Sequence, residues 1–133
     1  MPVVYTSATL SLAVMELLVH LDDDDLARAY VAVAAEIPDG LPIGRTRAAD
    51  LPRGWRSYPA PAALPELGRR WVTAGETAVL AVPSAVIPHE LNYLLNPRHP
   101  HFKRIRVGRP EPFAFDPRLR PTAGGAAGRR SRR

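Results

Sequence analysis

The sequence predicts a mixed domain, α/β or α+β, and three observations carry that prediction. Residues 10–21 and 62–74 have helical length and patterning, whereas residues 30–37, 77–82, 102–107 and 112–115 are short runs rich in β-branched or aromatic side chains. Fifteen prolines among 133 residues, against about 5% in average proteins, cut the chain into short elements joined by many loops. No internal repeat appears, and the length suits one core rather than two.

Val3, Val4 and Tyr5 form a strand-like run at the start. Thr6 and Ser7 offer hydroxyls for an N-cap, and residues 10–21 follow with nearly every position apolar. A surface helix would show a polar face, so this pattern predicts a buried helix interrupted only by Ser11, Glu16 and His20. Asp22 to Asp25 end it and cap what comes next; they lack the alternating ligands and central Gly of a calcium loop. Residues 30–37 read as one strand, stopped by Pro38, Asp39 and Gly40. Residues 41–61 read as a long loop pinned by Trp55 and Tyr58. The helix at 62–74 turns Leu64, Leu67, Trp71 and Val72 inward and Arg69 and Arg70 outward, and Gly75 closes it. A strand at 77–82 is broken by Pro83, which leaves Ser84 just past its end. A run at 86–95 and strands at 102–107 and 112–115 complete the chain.

Composition excludes several classes of function. With no cysteine there is no disulfide framework, thiolate nucleophile or Cys-ligated metal. The net charge of +5 is a tail property: six arginines from Arg118 onward, with no acid, leave 12 basic and 13 acidic residues before them. Residues 118–133, ending in Arg129, Arg130, Arg132 and Arg133, read as a disordered Arg-rich tail that gives nucleic acid at most weak phosphate contacts. No apolar run reaches the roughly 18 residues of a membrane span, and no signal-peptide pattern is present. A cytoplasmic protein is expected.

Four positions could carry chemistry. Glu16 places a carboxylate among Leu12, Met15, Leu17 and Leu18, which costs several kcal/mol unless it is paired or protonated. It is either half of a structural pair with His20 or an arginine, or the edge of a cleft. Ser84 ends a buried strand, where sites gather in α/β folds, yet lacks the G-x-S-x-G elbow and by itself reads as a turn-capping hydroxyl before it reads as a site residue. Tyr5 is core packing or a platform for a flat ring. His99 and His101 flank Pro100 without a third ligand at metal-binding spacing, so a surface loop is expected and no metal site.

An ordered set of phrases then resembles a known family. Pro2-Val-Val-Tyr-Thr-Ser7 and Leu10-Ser-Leu-Ala-Val-Met-Glu-Leu-Leu-Val-His-Leu21 resemble the opening half of the RES domain, named for an Arg, a Glu and a Ser. The likeness continues through Asp50-Leu-Pro-Arg-Gly-Trp55, Trp71 and Val82-Pro-Ser-Ala-Val-Ile-Pro-His-Glu-Leu-Asn-Tyr-Leu-Leu-Asn-Pro97. It closes with His99-Pro-His-Phe102 and Pro112-Phe-Ala-Phe-Asp-Pro117. The resemblance implies a bacterial toxin of a toxin-antitoxin pair, on a fold similar to ADP-ribosyltransferases, that degrades NAD by phosphorolysis or hydrolysis of the nicotinamide-ribose bond. NAD is then the substrate, inorganic phosphate a candidate co-substrate, and no resident cofactor is implied. By the same resemblance Glu16 is the family's Glu, Ser84 its Ser and Tyr5 its NAD-site tyrosine. Glu16 would hold ribose hydroxyls and stabilise an oxocarbenium-like transition state, Tyr5 would stack on nicotinamide, and Ser84 would hydrogen-bond the amide or ribose.

The family's arginine segment, Gly-Gly-Arg-Trp-Asn in type, has no counterpart before Pro2, and the first arginine is Arg28. Residues 1–117 are therefore expected to form a RES domain truncated at its N-terminus, without the expected cation for the NAD pyrophosphate. The resemblance implies a cognate antitoxin of the Xre/MbcA/ParS type as partner and leaves homodimerisation open. Two other readings stand beside it. One is a catalytically dead remnant that binds an antitoxin; the weaker is a nucleic-acid-binding protein acting through Arg129 to Arg133.

Overall fold

A computed structural model describes residues 2–119. Its centre is a four-stranded mixed sheet in the order β1-β6-β5-β4, built from Val4–Ser7, Leu91–Leu95, Val79–Pro83 and Ile43–Arg45. The pairs β1 with β6 and β6 with β5 are antiparallel, and β4 joins β5 in parallel. Two small antiparallel pairs stand apart from it: β2 (Tyr30–Ala32) with β8 (Glu111–Phe113), and β3 (Ala35–Glu36) with β7 (Arg106–Val107). Three α-helices complete the fold: α1 (Leu10–Leu18), α2 (Asp23–Leu26) and α3 (Ala63–Ala74). The domain is α+β, within the expected class.

Register divides the central sheet into two faces, because residues opposite one another across a ladder point the same way. Val4, Leu95 and Val79 share one face. There the core closes around Leu41, Ala78, Val79, Leu95 and Ile105, with Ile37, Tyr93 and Phe102 packed against it. Tyr5, Leu94 and Leu80 share the other face, together with Ser7, Asn92 and Val82. On that side Leu64, Leu67, Gly68 and Val72 of α3 line a cavity of about 550 Å³ with Leu80, Val82 and Leu94.

Local signals held where local chemistry decides the backbone. Leu64, Leu67 and Trp71 are half-buried and Val72 buried, with Arg69 and Arg70 outside. Gly75 closes α3 in the left-handed region at φ 63°, its N–H returning to the Trp71 carbonyl. Asp22 caps α2 in a capping box with Asp25, as expected of the acidic run.

Several expectations are corrected. The first strand extends through Thr6 and Ser7, so the N-cap of α1 falls to Thr9, whose hydroxyl accepts from the Leu12 N–H. α1 stops at Leu18 and is not a buried helix. Only Leu12 is buried, and Leu10, Met15, Leu17 and Val19 are all exposed. A nine-residue helix against one end of a sheet covers one face only. The strand expected over 30–37 is two, β2 and β3, because its halves pair with different partners. The supposed loop at 41–61 contains β4 and a 3-10 turn, Ala48–Asp50. Trp55 is half-buried and lines the cavity beside α3, whereas Tyr58 is 86% exposed. Of the run at 86–95 only Leu91–Leu95 is strand, and the segment at 102–107 begins as the 3-10 turn Pro100–Arg104.

Among the described residues no helix is long and apolar enough to cross a membrane. Pro117–Leu119 form a 3-10 turn in which Arg118 pairs with Asp116. The expected disorder of the Arg-rich tail otherwise concerns residues 120–133, which lie outside the described ones.

Candidate active site around Glu16

Three elements meet at one end of the sheet. Strand β1 brings Tyr5 and Ser7, strand β6 brings Asn92 opposite Ser7 in register, and the turn after β5 brings Ser84. α1, tied to β1 by the short Thr9-capped turn, carries Glu16 into this group.

The Glu16 side chain is held by one oxygen. Its Oε1 accepts from the Ser84 hydroxyl at 2.6 Å and from the Asn92 amide at 2.6 Å. Neither His20 nor an arginine pairs with it among the described residues, so the structural ion pair considered from sequence is not formed; the His20 ring lies 5.9 Å from that of Tyr58. No hydrogen bond reaches Oε2 from the described residues, and no buried side-chain oxygen there lacks a partner, so Oε2 faces solvent. The carboxylate is thus fixed at one atom and presented at the other.

Ser84 has no hydrogen-bonding capacity left. Its O–H donates to Glu16, and its oxygen accepts from the backbone N–H groups of Val86 and Ile87 at 3.1 and 3.0 Å. One donor and two lone pairs are the whole inventory of a hydroxyl. The residue is fully buried, so it is at once the turn cap that the sequence suggested and the support of Glu16.

Tyr5 lies on the edge strand, and the residue is 58% exposed. Its hydroxyl end is enclosed, accepting from the Asn92 amide at 2.9 Å. Burial of that end and the nearby Glu16 charge hold the phenol above its usual 10.0, while the Asn92 hydrogen bond opposes the shift.

Sequence reasoning overlooked Asn92 and Ser7. Asn92 is fully buried, and its Oδ1 accepts from Ser7 Oγ at 2.8 Å. The signal was present: Asn92 is the one polar residue in Leu91–Leu95, and a polar group inside an apolar strand requires partners. His99 and His101 stack edge to face at 5.1 Å away from these residues, and the His101 N–H donates to His99 Nδ1. Among the described residues no three potential metal ligands gather.

This α+β architecture, with a Glu and a Ser joined across 68 residues of sequence, defines a class. A family model described as the RES domain matches residues 1–116, and the chain belongs to that family. It is 39% identical to a protein named Toxin Res from Yersinia enterocolitica, over 88% of this chain and 77% of that protein. It is 34% identical to the Prs ADP-ribosylating toxin of a Sphingobium species, over 88% of this chain and 74% of that protein. A Toxin Res from Photorhabdus laumondii is also 34% identical, over 89% and 76% of the two chains.

Proposed function

We propose that this chain is a RES-type toxin that degrades NAD by cleaving the nicotinamide-ribose bond, with Glu16 as the catalytic residue. The observation that carries this reading is the Glu16 carboxylate, fixed through Oε1 and open at Oε2. In the cleavage, the bond from the ribose anomeric carbon to the pyridinium nitrogen breaks. The electron pair leaves with nicotinamide, which becomes neutral, and positive charge develops on the ribose ring. A carboxylate already held in place stabilises that charge without reorganising, and the same open oxygen accepts from a ribose hydroxyl. The exposed Tyr5 ring offers a face for the flat pyridinium. An oxygen of phosphate or water then bonds to the anomeric carbon; water gives ADP-ribose and a proton, phosphate gives the ADP-ribosyl phosphate.

The relative named an ADP-ribosylating toxin supports an ADP-ribosyl donor as substrate, and the relatives named toxins support a cognate antitoxin as partner. On this reading the chain acts in the cytoplasm.

The test is nicotinamide release from NAD by the full chain and by Glu16→Gln, with and without phosphate. The Gln oxygen can still accept from Ser84 and Asn92, so shape is kept and charge is removed. Release should fall on the order of 100-fold or more, the scale of losing one preorganised electrostatic contact. Equal turnover by the two proteins would remove Glu16 from the mechanism. A folded wild-type chain that releases no nicotinamide would favour the antitoxin-binding module instead.

A further inference from the structure

Asn92 is the one group in the site that touches Glu16, Tyr5 and Ser7 together. Its amide orientation follows from its neighbours. A carboxylate oxygen can only accept, so Nδ2 must face Glu16, and Ser7 supplies the donor that Oδ1 needs on the other side. Both Nδ2 hydrogens are then engaged, one on Glu16 at 2.6 Å and one on the Tyr5 oxygen at 2.9 Å. This has a consequence for Tyr5. Its oxygen is already accepting, and its own proton finds no acceptor among the described residues.

We infer that Asn92 is a positioning residue that gives its two neighbours opposite roles toward a ligand: Glu16 presents a free acceptor, Oε2, and Tyr5 presents a free donor, its O–H. The inference rests on the proposed NAD cleavage only for the identity of the ligand. The ligand then places a hydroxyl against Glu16 and, beside it, an acceptor oxygen against Tyr5. In NAD that acceptor is an ether, carboxamide or phosphate oxygen. Ser7 is the outermost member, since it keeps the Asn92 amide from turning over.

The test has two readouts. The first is the titration of the Tyr5 phenol in the full chain, followed through the ring carbon bonded to oxygen by NMR, which does not depend on turnover. Asn92→Ala removes the donor that favours the phenolate, so the Tyr5 titration should move further up. Ser7→Ala, a milder change on an edge strand, should move it the same way by less. The second readout is nicotinamide release, for which Asn92→Ala should lose kcat on the order of 100-fold, the scale of a misplaced catalytic group. Tyr5→Phe should instead raise KM, with kcat changed less.

A Tyr5 titration that stays in place in both folded variants overturns the inference, whatever the activity does. A titration that moves as expected in a chain that releases no nicotinamide keeps the assigned roles and removes NAD cleavage. Should Asn92→Ala not fold, the Ser7→Ala titration decides alone.

Discussion

Replacing Ser84 with Ala tests how Glu16 is held, and the structure sets the size of the effect. The hydroxyl makes three hydrogen bonds, one to the carboxylate and two from the backbone N–H groups of Val86 and Ile87. A bond to a charged group contributes about 1.5–3 kcal/mol and a neutral one about 0.5–1.5 kcal/mol. Glu16, Val86 and Ile87 are only half-buried, so water recovers part of the loss and the net cost lies near the low end, about 3 kcal/mol. Ala leaves a gap of one oxygen, so the cavity contribution is small. In a domain of this size, 1 kcal/mol corresponds to roughly 4 °C in Tm, and the variant should melt about 12 °C lower by circular dichroism. Its nicotinamide release should fall in kcat with KM little changed, because the hydrogen bonds of the Ser84 hydroxyl are all taken up by Glu16 and the backbone. Melting within about 2 °C of wild type would show that the three bonds contribute almost nothing to the fold. A loss confined to KM would return Ser84 to the role of a ligand contact.

Other measurements follow from the same geometry. The folded Tyr5 phenol titrates above 10.0, its unfolded value, so the stability linked to it is complete below that pH and is lost as pH rises through the folded pKa. Denaturant titrations should show stability declining from about pH 10 upward, and Tyr5→Phe should remove that share of the decline. Glu16→Gln should bring the Tyr5 titration down, since the Glu16 charge is one of the two influences raising it. Gly75→Ala forces an alanine to φ 63° and should cost about 1 kcal/mol in a chemical melt. Gly68→Ala, in the interior of α3 with no atom within 4 Å of the added methyl, should stabilise by about 0.5–1 kcal/mol. Equal signs for the two glycine variants would contradict the backbone argument.

What could be seen in the sequence is what neighbours along the chain decide. The α3 face and the Gly75 cap each depend on a few adjacent residues and are legible there, whereas the break expected at Pro83 does not occur: β5 runs through Pro83, which pairs with Leu91. The short strands β2, β3, β4, β7 and β8, of two or three residues each, were split or misplaced, because so short a segment has no period to detect. Their existence depends on partners distant in sequence. Hydrophobicity announced the apolar character of α1, but it carries no information on which of its faces the fold covers. Glu16 was singled out by its cost among leucines, and Ser84 by its place past a strand. Their direct bond, and Asn92 between Glu16 and Tyr5, come from pairing β1 with β6 and β6 with β5, which no local pattern encodes.

The contacts that build the site span 68, 76 and 87 residues: Ser84 to Glu16, Asn92 to Glu16 and Asn92 to Tyr5. Synthesis at 5–20 residues per second separates the emergence of Tyr5 from that of Asn92 by roughly 4 to 17 s. For most of that interval, from the emergence of Glu16 until that of Ser84 68 residues later, the nascent polypeptide holds Glu16 with neither of its anchors. Maturation is therefore a single late event rather than a gradual gain. A ribosome stalled before β6 carries a chain without the Asn92 contact, and anything that held β1 away from β6 would leave the group around Glu16 unassembled.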